Sequence, residues 1–219
     1  SHAGHLSDGV RAAAVADGRD SRATMAYYCP LLLHLEVSYR GSSNGCAARN
    51  VALVSQLKAS TPGTVVVAAS DAYWSSPGWA ARLNGVKLDE PTQRLGAFEE
   101  DLEGLVRVLR SAGHDVILVQ SVPLHVGFAW EACSLQAIRE RSCTDEVPVS
   151  EAQATQGRTR AAIARAAAAS GAEVLDPWTT LCGDGTCSTT RAGVALYRNA
   201  SHLSVRGSGE LTASLSAVL

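Results

Sequence analysis

Arg94–Gln120 reads RLGAFEEDLEGLVRVLRSAGHDVILVQ and holds the pattern on which the fold turns. Phe98, Leu102, Leu105, Val106 and Leu109 recur three or four positions apart, which places them on one stripe of an α-helix. Gly113 supplies a stop. The next residues, DVILVQ, form an apolar run with no alternation. A helix that gives way to such a run predicts a strand buried on both faces, as in a parallel sheet covered by helices.

The same grammar repeats on either side. GTVVVAAS, residues 63–70, is strongly β-branched and predicts a second buried parallel strand, and EVLDPW, residues 173–178, a short third one. Helices are predicted from GHLSDGVRAAAVADG, with Leu6, Val10, Ala13 and Ala14 inward and an end near Gly18, and from CAARNVALVSQLKAS, with Val51, Leu53, Val54 and Leu57 as its apolar positions. SEAQATQGRTRAAIARAAAASGA predicts a further helix capped by Ser150, and SVRGSGELTASLSAVL a final one. RATMAYY, residues 22–28, suggests a short strand, and residues 124–149 read as irregular. Strands that alternate with helices give an α/β fold, a three-layer α/β/α sandwich around a central parallel sheet. No repeat or linker divides residues 1–219, so one domain is expected. Ligands of such sheets bind beyond the carboxyl ends of the strands, which draws Ser70, Asp71, Ser121 and Asp176 toward a common rim.

Of 219 residues, 46% are hydrophobic and 18% charged, with a formal net charge of -2. That composition suits a folded domain and offers no electrostatic footprint for nucleic acid. No apolar run approaches the roughly 18 residues that cross a bilayer. No signal peptide is visible, so any targeting element is expected to be removed or to lie outside this sequence. Six cysteines fall into three locally spaced pairs, Cys29 with Cys46, Cys133 with Cys143, and Cys182 with Cys187. Six cysteines allow about 15 pairings, so spacing favours this set without proving it, and free buried thiols are the alternative. The tight Cys-x-x-Cys clusters of a metal site are missing. Three local disulfides predict an oxidising compartment.

LYRNASHLSVRG, residues 196–207, sets His202 in a loop ahead of a helix, three positions after Asn199. A histidine so placed serves either as a structural hydrogen-bond donor or as a general base. An acid or amide three residues earlier can reach one ring nitrogen and leave the other to face a nucleophile. The chain opens SHAGHL, where Ser1 is a candidate for that nucleophile; the pair Ser1-His2 is by itself also what a cloning remnant looks like.

SHAGHLSDGVRAAAVADG resembles the start of the first helix of SGNH hydrolases, where a Gly-Asp-Ser-His block ends the first strand. The succession of YYCP, VVVAAS, VILVQSVP, paired cysteines, LDPWTTLCGDGTC and LYRNASHLSVRG resembles one subgroup across nearly the whole chain. That subgroup is the SGNH domain fused behind acyltransferase-3 membrane proteins, which O-acylate bacterial cell-surface glycans. The resemblance implies Ser1 as nucleophile, His202 as base, and Asn199 at the position usually held by Asp in Asp-x-x-His. An Asn can hold a histidine tautomer but stabilises an imidazolium poorly; in one serine protease the change from Asp costs about 10⁴ in rate. No Gly-x-Asn-Asp block follows VVVAAS, and Ser70 and Asp71 stand where its oxyanion donor is expected, or else simply close the strand. A first strand ending in Gly-Asp is expected ahead of Ser1.

The function so implied is an extracytoplasmic domain, tethered to the membrane, that transfers an acyl group, acetyl by preference, through a serine ester. Its partners are a cell-surface glycan as acceptor and an acyltransferase-3 membrane domain that delivers the acyl donor; no cofactor and no metal are implied. Two alternatives remain: a free-standing carbohydrate or lipid esterase, and a catalytically weakened glycan-binding module. Other residues have plainer readings. His125 reads as a loop residue, and His5, His34 and His114 as surface or helix-end residues. Trp74, Trp79 and Trp130 belong to the core or floor a sugar site.

Overall fold

The stripe from Phe98 to Leu109 lies on a helix, Pro91–Ser111, in a computed structural model that describes residues 2–25, 29–41, 45–76, 78–133 and 143–219. Pro91 opens the helix, and Glu90 and Gln93 close a capping box, so both side chains satisfy amide donors of the first turn. Phe98, Leu105, Val106 and Leu109 are fully buried. Gly113, at φ 89°, reverses the chain into the strand Asp115–Val119.

That strand is central in a parallel sheet, flanked by Thr64–Ala68 and Glu173–Leu175. Ala68 pairs with Val119 and Val119 with Leu175, so the three carboxyl ends lie side by side. Val116 and Leu118 pack into the cluster that holds Phe98, Leu105 and Ile163. Ile117 and Val119 point to the opposite face by the two-residue period and are buried as well. The central strand is buried on both faces, which explains its unbroken apolar run, while Thr64–Ala68 and Glu173–Leu175 beside it are mostly half-buried; the α/β class follows.

The chain divides into two compact units, Ala26–Gln120 with Arg158–Leu175, and Ser1–Met25 with Ser121–Gly157 and Asp176–Leu219. The first holds the parallel sheet and also a second, antiparallel sheet that the pattern reading missed. In it Leu35–Tyr39 pairs with Trp79–Leu83, which turns back as Val86–Leu88. The turn is Asn84-Gly85, both at positive φ, the strongest short hairpin signal a sequence carries. The segment before Leu35 is held without regular structure. The Asp101 carboxylate accepts the N–H groups of Leu33, His34 and Leu35, and the Asn50 amide donates to the carbonyls of Pro30 and Leu32. His114, far from being a surface residue, is 4% exposed and donates through Nε2 to the Leu57 carbonyl at 2.8 Å. Residues 22–25 form no strand, and the rest of RATMAYY lies outside the described residues. The helix Cys46–Ala59 turns Val51 outward and buries Asn50 beside Val54, because Asn50 is needed for those two carbonyls.

The second unit gathers both ends of the sequence. Its first helix, His2–Ala16, packs on the closing helices Val205–Glu210 and Thr212–Ser216, which Leu211 separates where one helix was expected. Ser150 falls inside the helix Val149–Ser170 and does not cap it. Gln156, 1% exposed, pins the chain after the central strand by accepting from Leu124 N–H and donating to the Val122 carbonyl. The six cysteines form Cys29–Cys46, Cys133–Cys143 and Cys182–Cys187. Among the described residues no helix is long and apolar enough to cross a membrane.

Asp101→Ala leaves three buried or half-buried amides without their acceptor and is expected to cost about 3 kcal/mol or more. Val51→Ala, at a position 61% exposed, is expected to stay within about 0.5 kcal/mol. Urea unfolding of the two variants checks the contrast.

Candidate functional site

His202 sits on a small hairpin near the end of the second unit. Tyr197–Asn199 runs antiparallel to His202–Leu203, with Tyr197 opposite Leu203 and Asn199 opposite His202. The Asn-x-x-His spacing is therefore the length of the hairpin tip. The base of the hairpin is closed by Ser204, whose N–H donates to the Leu196 carbonyl at 2.8 Å and whose hydroxyl donates to the Ala195 carbonyl at 2.7 Å. The Ser204 hydroxyl also accepts Gly207 N–H and so caps the helix Val205–Glu210. A Cβ on Gly207 would stand 1.9 Å from the Leu196 carbonyl oxygen, so only glycine admits this closure.

One oxygen organises the tip. Asn199 Oδ1 accepts the backbone N–H of Ser201 at 3.2 Å and of His202 at 3.0 Å, and lies 3.0 Å from His202 Nδ1. Two backbone donors on the same atom fix which end of the amide faces the ring. His202 Nδ1 must then carry the proton and donate, which leaves Nε2 as the basic nitrogen of the neutral ring. Ser201 Oγ stands 3.2 Å from the same Nδ1.

Two supports hold the hairpin. On one side His125 donates its N–H to the Ala200 carbonyl at 2.8 Å, and Ala129 bridges to Asn199. His125 is no plain loop residue: it is wholly buried, with Nδ1 2.9 Å from Asp145 Oδ2 and its ring 4.6 Å from that of Tyr197. Burial lowers its pKa, against the raising effect of the Asp145 carboxylate. Burial likewise pushes the Tyr197 phenol well above its usual range. On the other side is His5 of the first helix, which accepts Leu203 N–H on Nδ1 at 3.0 Å. It was expected as a surface or helix-end residue; it lies in the first turn of its helix and is 8% exposed. Neither histidine has a local sequence mark, because their partners lie 198 residues away for His5 and 20 for His125.

The remaining candidates are placed as follows. Ser1 lies outside the described residues. Ser70 and Asp71 belong to the other unit, buried just past the strand Thr64–Ala68, where Ser70 Oγ accepts Ala72 N–H at 3.2 Å. Asp71 begins the short helix Ala72–Ser75. Trp74 is core, stacked on Phe98 at 4.3 Å, and Trp79 packs on Tyr39 and Tyr73. Trp130 is half-buried in a 3₁₀ turn, its ring edge-on to Phe128 at 6.4 Å, with Ala129 between them on the bridge to Asn199. His34 is exposed, as expected. Among the described residues no group of His, Cys, Asp or Glu is arranged to hold a metal ion.

A parallel sheet whose strands are joined through helices defines an α/β fold. The chain belongs to the family described as the SGNH domain (fused to AT3 domains), whose model matches residues 1–216. Among solved structures it is similar to the periplasmic domain of a lipopolysaccharide acetyltransferase from Salmonella ser. Paratyphi A. That match has a TM-score of 0.67 at 15% identity, covering 97% of this chain and 77% of that one. A protein from Slackia heliotrinireducens assigned to the SGNH hydrolases aligns with TM-score 0.44 at 17% identity, over 78% of this chain and 73% of that one. No curated protein matches the sequence.

Burial pushes the His202 pKa down to about 4, and nearby positive charge, that of Arg198 included, adds to the effect. Asn199 is neutral and offers no opposing charge. Lowered in the folded state, this pKa makes the unfolded chain bind the proton first. The contribution of His202 to stability is therefore complete above its ordinary value of 6.5 and declines as pH falls from there toward about 4. An NMR titration of the imidazole should show His202 neutral through the pH 5–7 range, and Asn199→Asp should raise its midpoint.

Proposed function

We propose that this chain is the extracytoplasmic SGNH domain of an O-acyltransferase that moves an acyl group, acetyl by preference, onto a cell-surface glycan. The observation that carries the reading is the bond from His202 Nδ1 to Asn199 Oδ1, which presents Nε2 as a base. Membership of a family fused to acyltransferase-3 domains supports a membrane partner that supplies the acyl donor. Three disulfides support a location on the oxidising side of the membrane.

In the proposed reaction Ser1 Oγ attacks the carbonyl carbon of the donor while His202 Nε2 takes its proton. The tetrahedral intermediate collapses, the leaving group receives that proton, and an acyl ester remains on Ser1. A glycan hydroxyl then gives its proton to Nε2, attacks the ester, and leaves as the acylated glycan while Ser1 recovers its proton. Ser70 and Asp71 are proposed as the source of oxyanion donors, through the Ser70 hydroxyl or the Asp71 N–H. Trp130 with Phe128, beside Asn199, is proposed as a wall for the sugar ring.

An activated acetyl ester assayed with the full-length protein, with and without a glycan acceptor, tests the reading. His202→Ala and Ser1→Ala should each abolish turnover while circular dichroism stays native. Asn199→Asp should raise turnover, drawing on a term worth up to about 10⁴ in a serine protease. The base must be neutral to act, so activity falls below its pKa; the acid limb should lie below the ordinary imidazole value of 6.5 and move upward in Asn199→Asp. Trp130→Ala should raise KM for the acceptor and leave acceptor-free hydrolysis unchanged. Turnover independent of acceptor would mark an esterase, and glycan binding with no turnover a binding module. If Asn199→Asp changes nothing and His202→Ala unfolds the protein, His202 is structural and the proposal fails.

A further inference from the structure

His5 lies on the first helix with its ring enclosed, and its Nδ1 accepts Leu203 N–H at 3.0 Å. A ring nitrogen that accepts bears the lone pair, so the proton of neutral His5 sits on Nε2. The ring meets that of His202 edge-on, with centroids 5.4 Å apart and planes at 74°. One helical turn further on, Gly9 N–H donates to Ser208 Oγ at 2.8 Å. A Cβ on Gly9 would stand 2.3 Å from the Ser208 carbonyl oxygen. His5, Gly9 and the fully buried Ala13 recur at every fourth position and share one face of the helix. Two bonds, from Leu203 and to Ser208, set that face in a single register against the chain that carries His202.

We propose that His5 is the positioning residue that holds the His202 hairpin on the first helix and so steadies the plane of the His202 ring and the Asn199 bond that sets its tautomer. The inference rests on the proposed role of His202 for its kinetic consequence, though its structural content stands apart from that role. Leu203 N–H sits at the end of the hairpin and is buried; without His5 it loses its acceptor. The bond exists only while His5 is neutral, because an imidazolium has no lone pair to offer and would set a positive charge against the His202 ring.

The test uses the full-length protein, with steady-state kinetics on the activated acetyl ester and long-range ¹H–¹⁵N spectra of the histidine rings. Wild type should show His5 protonated on Nε2 and His202 on Nδ1. His5→Ala should lower kcat by about 10²-fold with KM little changed, as expected when a reacting group is displaced by about 1 Å. Its spectrum should show His202 averaging between tautomers. His5→Asn puts an amide oxygen where Nδ1 was and should restore both kcat and the single His202 tautomer, which a merely space-filling role would not require. Wild-type His5 protonated on Nδ1 overturns the proposal. So do unchanged His202 shifts in His5→Ala, or a folded His5→Asn no better than His5→Ala. If His5→Ala does not fold, the wild-type tautomer and His5→Asn decide. If the ring spectra follow these lines while wild type turns over no ester, the pin stands and the base reading of His202 fails.

Discussion

Asn199 Oδ1 takes three N–H donors within a four-residue hairpin tip, and the site is built on that atom. Two of the donors are backbone groups that a tight turn would otherwise leave without an acceptor. The third is the ring that would do chemistry. Turn closure and tautomer choice are thus one interaction, and a change of the side chain acts on both. An aspartate could accept the same three donors and would add a charge. Asparagine keeps the geometry and omits the charge, so nothing there opposes burial and the nearby positive charge, which carry the His202 pKa down to about 4. Such a ring is neutral at ordinary pH and always ready to accept a proton, but it has a small driving force for doing so.

The hairpin is short, and two paired strands of this length have little stability of their own. Its order is borrowed from both sides. His125, tied to Asp145 and buried against Tyr197, presses on the tip through Ala200, while Ala129 extends the pairing at Asn199. His5 and Gly9 fasten the other side to the first helix. Gly207 lets the following helix start directly against the Leu196 carbonyl, so the closing segment cannot drift away from the hairpin base. Each support uses a backbone contact that tolerates little displacement, and together they hold one histidine ring in one orientation.

The other unit shows the same economy at Asp101 and Asn50. Both are polar residues on the inner faces of helices, positions where periodicity alone asks for apolar side chains. They sit there because the segment before Leu35 has no strand or helix partner for its own peptide groups. The antiparallel sheet begins where that clamp ends. Its strands lack a clean alternation, with Arg82 and Lys87 paired across the Asn84-Gly85 turn, so the hairpin was readable from its turn and not from its pattern.

Local periodicity determined the parallel strands, the long helices and the α/β class, and spacing favoured the three cysteine pairs that the structure forms without proving them. The Asn-x-x-His spacing belongs with these, being the length of a hairpin tip. The exposed Val51 was misjudged because one helix offered two rival stripes, and only the carbonyls of Pro30 and Leu32 select the one containing Asn50. The burial of His5 and His125 and the depression of the His202 pKa were decided by tertiary structure alone. Each depends on groups brought from distant parts of the chain, or on desolvation that no run of letters encodes. A histidine is equally at home in water and in a core, and what it does is set by the partner that reaches its second nitrogen.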